Sequence, residues 1–237
     1  MAIAFRSAGV SPGAQTTTCV IVKPVGLTLG DLMIAHCFVR GEYTLSSAPT
    51  GFTEIRTDTQ GVVASSLLYW KIAVQADVDA TDFTFTFGAA EYNLGAIAAF
   101  TGADDVSPIN ANNGDAPLGQ TAAPTSPEIT PTVANCMICL FCCGTKLSTY
   151  SGYAIVTSDP ASWAEAYDFS ETIVAVEESM AMGYGARPET SATGNGTATS
   201  SFLQYWTAQL VAIAPVGEPV AGGGGAPLIG LINAGVI

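Results

Sequence analysis

The segment Phe83-Thr84-Phe85-Thr86-Phe87 alternates strictly between aromatic and hydroxyl side chains. Successive side chains of a β-strand point to opposite faces, so this segment reads as a strand with one face buried and one wet. A few residues on, LGAIAAF at 94–100 is apolar throughout, as is MICLFCC at 137–143. Both runs read as further strand candidates.

Period two dominates outward from there. Strands are expected at 2–6, 17–22, 31–39, 52–58, 62–74, 83–87, 94–101, 135–143, 153–157, 172–184, 197–204 and 206–214. Turn-rich pieces separate them: SPGAQ, KPVGLTLGD, SSAPTG, TGADDVSPINANNGDAPLGQ, APTSPEITP and RPETSATGNG. Proline falls in these connectors, where no ladder hydrogen bond is lost. No segment carries an amphipathic helix of three turns; ADVDATD and PASWAEAY each have room for one helical turn. The expectation is an all-β chain: an antiparallel β-sandwich of jelly-roll type over residues 1–216. A Gly-rich linker and an apolar C-terminal arm follow at 217–237.

Composition excludes several classes. Charged residues make up 11% of the 237 residues, against about 25% in an ordinary soluble domain. Apolar residues make up 49%, enough for a large core and too many for disorder. Seven basic residues stand singly against twenty acidic ones, for a net charge of −13. With no basic patch to neutralise phosphates, nucleic acid is not an expected partner. The apolar runs fall far short of the roughly 20 residues of a membrane-spanning helix. The N-terminal residues lack the basic and apolar regions of a secretory signal, so synthesis and folding in a cytosol, without Sec export, are expected.

Cytoplasmic synthesis disfavours disulfides, although one between Cys19 and Cys37 stays open should their strands be neighbours. The run NCMICLFCCG holds Cys136, Cys139, Cys142 and Cys143. On a strand, Cys136 and Cys142 face one side while Cys139 and Cys143 face the other, so they do not converge on one metal ion. They read as buried thiols, and no metal or cofactor is expected.

Catalytic patterns are absent. The lone His36 sits in the apolar strand LMIAHCFV and reads as a core or interface residue; no GxSxG elbow, P-loop or dinucleotide fingerprint occurs. Glu177 and Glu178 are adjacent and point apart on a strand, which argues against a glycosidase pair. Asp77, Asp79 and Asp82, or Asp104 and Asp105, are the only acidic groupings a calcium ion could use, and neither follows the EF-hand pattern. Tyr150, Tyr153, Trp163 and Tyr167 form an aromatic-rich zone that suits sugar stacking, packing of the sandwich end, or a subunit contact. In the arm, Leu228, Ile229, Leu231, Ile232, Val236 and Ile237 would each gain about 1.5–3 kcal/mol on burial. They are therefore expected to dock, on their own sandwich or on a neighbouring subunit.

Four motifs occur in order. Gly30-Asp31-Leu32 closes one strand, Ala48-Pro49-Thr50-Gly51-Phe52 forms a turn, Tyr69-Trp70-Lys71 lies in a further strand, and a strand end and loop follow at 101–109. With the closing strand at 206–214, this series resembles a family of β-sandwich modules found in tailed-phage virion proteins and in bacterial surface proteins. The resemblance covers about residues 15–215. It implies a jelly-roll-like fold and a building or binding role without a known reaction. The expected function is a non-enzymatic virion protein of capsid-decoration or head-fibre type, a homo-oligomer or a partner of another coat protein. A carbohydrate- or cell-surface-binding module, such as a tail receptor-binding protein or adhesin, is the alternative.

Overall fold

The computed structural model describes residues 2–157, 160 and 162–217. The six arm residues named above lie outside the described residues. Strand β7 (Asp82–Thr101) is the spine of the first half and joins two expected strands into one. Its buried positions change with its cover: Phe83, Phe85 and Phe87 alternate with more exposed threonines, whereas everything from Leu94 to Phe100 is buried. Along one side it pairs with β1 (Ala4–Val10) and β2 (Ala14–Val22), and along the other with β3 (Leu32–Arg40) and β4 (Leu45–Ser47). The sheet continues through β6 (Ala64–Ile72) to β5 (Thr53–Gln60), in the order β1-β7-β3-β6-β5. One helical turn, α1 (Gln75–Asp79), falls in the ADVDATD segment.

The ribbon of β2, β4 and the first part of β7 folds back over its own sheet. Cys19, Ile21, Phe83, Phe85 and Phe87 pack against Met33, Ala35, Cys37, Leu67 and Ile97. Gly95 permits the close approach, since a Cβ there would sit 2.5 Å from the Cys19 sulfur and 2.7 Å from Ile21.

The second half repeats the plan. Its strands are β8 (Ile109–Asp115), β9 (Thr125–Ser126), β10 (Cys136–Gly144), β11 (Tyr150–Ile155), β12 (Ala164–Ile173), β13 (Val176–Arg187), β14 (Gly196–Ser200) and β15 (Trp206–Ile213). The larger sheet runs β8-β15-β10-β13-β12 and the smaller β11-β14-β9. The strands thus match those of the first half in order and direction, with β14 and β15 together corresponding to the single long β7. Registers agree as well: His36 lies opposite Leu68 and Ala96, and Phe141 opposite Met182 and Gln209. Both edge strands carry a bulge at the same place, between Glu54 and Arg56 in β5 and between Glu165 and Tyr167 in β12. The chain is an all-β antiparallel sandwich protein built as two topologically equivalent halves.

The two larger sheets pack face to face. Leu32, Ile34, Phe38, Leu68 and Phe100 meet Met137, Cys139, Phe141, Met182 and Ile213 in one core. His36 and Phe141, which hold equivalent positions, touch edge to face with centroids 5.4 Å apart. A third core lies under the smaller second sheet and contains Cys136, Cys142, Leu140 and Leu210. The four clustered cysteines therefore divide between two faces as the alternation requires. All six cysteines are buried and no disulfide joins them; Cys19 and Cys37 share the first-half core.

Three sequence expectations need correction. The expected strand at 172–184 is a hairpin, turning at Val174 and Ala175 with φ of 49° and 71°. Neither residue favours positive φ, so the turn carries no sequence mark. PASWAEAY enters strand β12 from Ala164 and forms no helix there. INANNGD lies within a stretch read as connector, yet pairs with β15 as an edge strand, where partial exposure tolerates its polarity.

Candidate functional site

A directed chain of hydrogen bonds crosses the core between the halves. The Gln209 amide donates to Asp58 Oδ2 (2.7 Å) and to the Ser66 carbonyl (3.2 Å), which fixes its orientation. Ser66 Oγ donates to Gln209 Oε1 (2.8 Å), so it accepts from His36 Nε2 (2.9 Å). Nδ1 of the neutral ring then accepts from the Tyr167 hydroxyl (3.0 Å). Burial drives the His36 pKa down to about 3. A serine beside a histidine invites comparison with a nucleophile and its base. Here the serine proton points to glutamine and both residues are fully buried, so the pair ties the sheets together.

A concavity lies where the two halves meet at the β3–β4 end. It is a wide-mouthed groove of about 960 Å³ with Tyr43, Tyr92 and Tyr205 in its lining. Arg40 reaches across from the first half to Glu178 Oε1 (3.2 Å), the Glu177 carbonyl (2.6 Å) and the Thr145 carbonyl (3.2 Å). Glu178 is fully buried; desolvation raises its pKa to about 7 against the opposing pull of Arg40. Glu177, on the other face of β13, pairs with exposed Lys146 at 3.4 Å.

Tyr43 is held in place. Its ring lies over Gly41, where a Cβ would come within 2.5 Å of it, and Gly41 takes a φ of +93°. Its backbone N–H donates to Ser65 Oγ (3.0 Å), and its hydroxyl to Glu91 Oε1 (2.5 Å). The groove therefore presents partly exposed rings beside carboxylates, cations already paired, and the exposed amide of Gln120. Exposed apolar side chains surround this end: Val62 lines the groove, Val174 belongs to the adjacent turn, and Leu147 and Phe202 line a smaller cleft that shares Lys146 and Glu177.

The aromatic zone expected from the sequence is occupied differently. Tyr150 is buried, and its hydroxyl bonds Ser179 and Gln204. Tyr167 is buried against His36. Tyr153 and Trp163 stack on each other at 6.3 Å against the third core, with Tyr153 over Gly183. None of these four lines the groove; its tyrosines come from positions far apart in sequence.

The acidic groupings have local duties. Asp77 binds Lys71 (2.6 Å) and the Val74 N–H (2.9 Å). Asp104 accepts from the Val106 and Ser107 amides in a turn. Among the described residues, no group of three His, Cys, Asp or Glu side chains is placed to hold a metal ion. No described helix is long and apolar enough to cross a membrane. Comparisons with protein-family models, with curated proteins and with solved structures find no match, so the likeness to virion and surface modules rests on the motifs alone.

Proposed function

We propose that the chain is a non-enzymatic structural protein of a tailed-phage virion, of capsid-decoration or head-fibre type. It associates with its own copies or docks on another coat protein after synthesis in the host cytoplasm. The observation that carries this reading is the set of exposed apolar side chains around the seam between the halves. Val62, Val174, Leu147 and Phe202 lie around the seam, on a chain with unusually few charges. Exposed apolar clusters of this kind mark contact surfaces. The repeated strand plan supports a building role, and the winding within each half suits the jelly-roll reading. The net charge of −13 keeps unassembled subunits apart until apolar contacts form.

Sedimentation velocity of the full chain and of a form lacking residues 218–237 tests self-association. The full chain should sediment as an oligomer and the truncated form as a folded monomer. Oligomers of identical size from both would remove the arm from the interface, and a full chain that stays monomeric would limit assembly to a different coat protein.

A further inference from the structure

We propose that the groove between the halves binds a neutral oligosaccharide chain, with Tyr92 and Tyr205 as stacking surfaces and Gln120 and Glu91 as hydroxyl partners. This inference stands on the groove alone and holds whether or not the chain belongs to a virion.

Shape is the first support. The volume of about 960 Å³ lies at the upper end of the roughly 300–1,000 Å³ usual for ligand sites. The groove is open to solvent, which suits a segment of a longer polymer better than an enclosed small molecule.

Surface chemistry is the second. A pyranose ring offers an apolar C–H face and a rim of hydroxyls. An aromatic ring covers the former, and side-chain amides and carboxylates bond the latter. Tyr43, Tyr92 and Tyr205 provide aromatic surface in one groove, and none is fully buried. The packing of Tyr43 on Gly41 and its bond to Glu91 fix one wall before any ligand arrives. Such preorganisation removes part of the ordering cost of binding.

Charge decides which sugars. Arg40 is consumed by Glu178 and two backbone carbonyls, and Lys146 is paired with Glu177. Glu91 already accepts the Tyr43 hydroxyl on one oxygen. Among the described residues lining the groove, no cation besides Arg40 and Lys146 is present to meet a sulfate or carboxylate, and the chain as a whole carries −13. Acidic glycans would be repelled from a distance. A neutral, hydroxyl-rich chain faces no such barrier.

The test uses titration calorimetry on the full chain. The probes are hexasaccharides of β1→4 glucose, α1→4 glucose, β1→4 N-acetylglucosamine and α1→6 mannose, with heparin and oligosialic acid fragments as charged comparators. At least one neutral probe should bind, and Tyr92→Ala and Gln120→Ala should each weaken it by ~10-fold or more. Tyr153→Ala, remote from the groove, should leave affinity unchanged. Gln120 is exposed, so its variant keeps the test valid if Tyr92→Ala fails to fold. The proposal is overturned if no neutral probe binds at ~10 mM, if only the charged fragments bind, or if affinity survives Gln120→Ala and Tyr205→Ala together.

Discussion

Replacing His36 with glutamine should change how stability depends on pH more than stability itself. Glutamine can accept from Tyr167 and donate to Ser66, the two bonds the neutral ring makes. It cannot take up a proton. In the folded chain burial holds the His36 pKa at about 3, while an unfolded histidine titrates near 6.5. The unfolded state therefore binds one more proton than the folded state between these values. The contribution of His36 is complete above pH 6.5 and is lost as pH falls toward 3. At about 1.36 kcal/mol per pH unit, the loss amounts to about 5 kcal/mol at the acid end and about 3 kcal/mol by pH 4.5.

Glu178 works in the opposite sense. Its folded value near 7 lies above the usual 4.5, so its contribution is complete below 4.5 and lost as pH rises to 7. The wild-type curve mixes the two, and the difference between wild type and His36→Gln isolates the histidine. Urea unfolding at pH 7, 6, 5 and 4.5 supplies the comparison. On acidification the wild type should fall below His36→Gln with a relative slope approaching one proton. Parallel curves would refute a neutral, buried His36 and with it the face-to-face packing of the two sheets.

Three further outcomes follow from the packing. Arg40→Ala strands a buried carboxylate and should cost about 3–5 kcal/mol at pH 8; the deficit, measured by urea unfolding, should shrink at pH 5.5, where Glu178 takes up a proton. Val174→Asn with Ala175→Gly relieves two positive-φ residues in an exposed turn and should raise stability by about 1–2 kcal/mol, read as an increase in the urea midpoint. Gly95→Ala forces a methyl against Cys19 and Ile21; overpacking of this kind costs about 1–3 kcal/mol, and thermal unfolding should register it.

The strand pattern was legible wherever burial alone sets the side-chain choice. The alternation at 83–87, the apolar runs at 94–100 and 137–143, the two-faced distribution of cysteines and the interior place of His36 all follow from which faces are covered. The repeat was hidden because equivalent positions share pairing but not side chains. His36 matches Phe141 and Ala96 matches Gln209, while Cys37 and Cys142 keep the same residue. Two sheets facing each other need complementary shapes and one satisfied polar chain, which different residues can supply from each side. The hairpin at Val174–Ala175 escaped notice for want of Gly or Asn. The groove was invisible for a different reason. Tyr43, Tyr92 and Tyr205 are gathered by long-range strand pairing, whereas Tyr150, Tyr153, Trp163 and Tyr167 are close in sequence and mostly turn inward.

The central claim, a structural role in a virion, is tested most directly by electron microscopy of purified phage particles labelled with an antibody to this chain. A regular array of label on the head or tail surface is the predicted result. Particles that are infectious and complete yet carry none of the chain would contradict it.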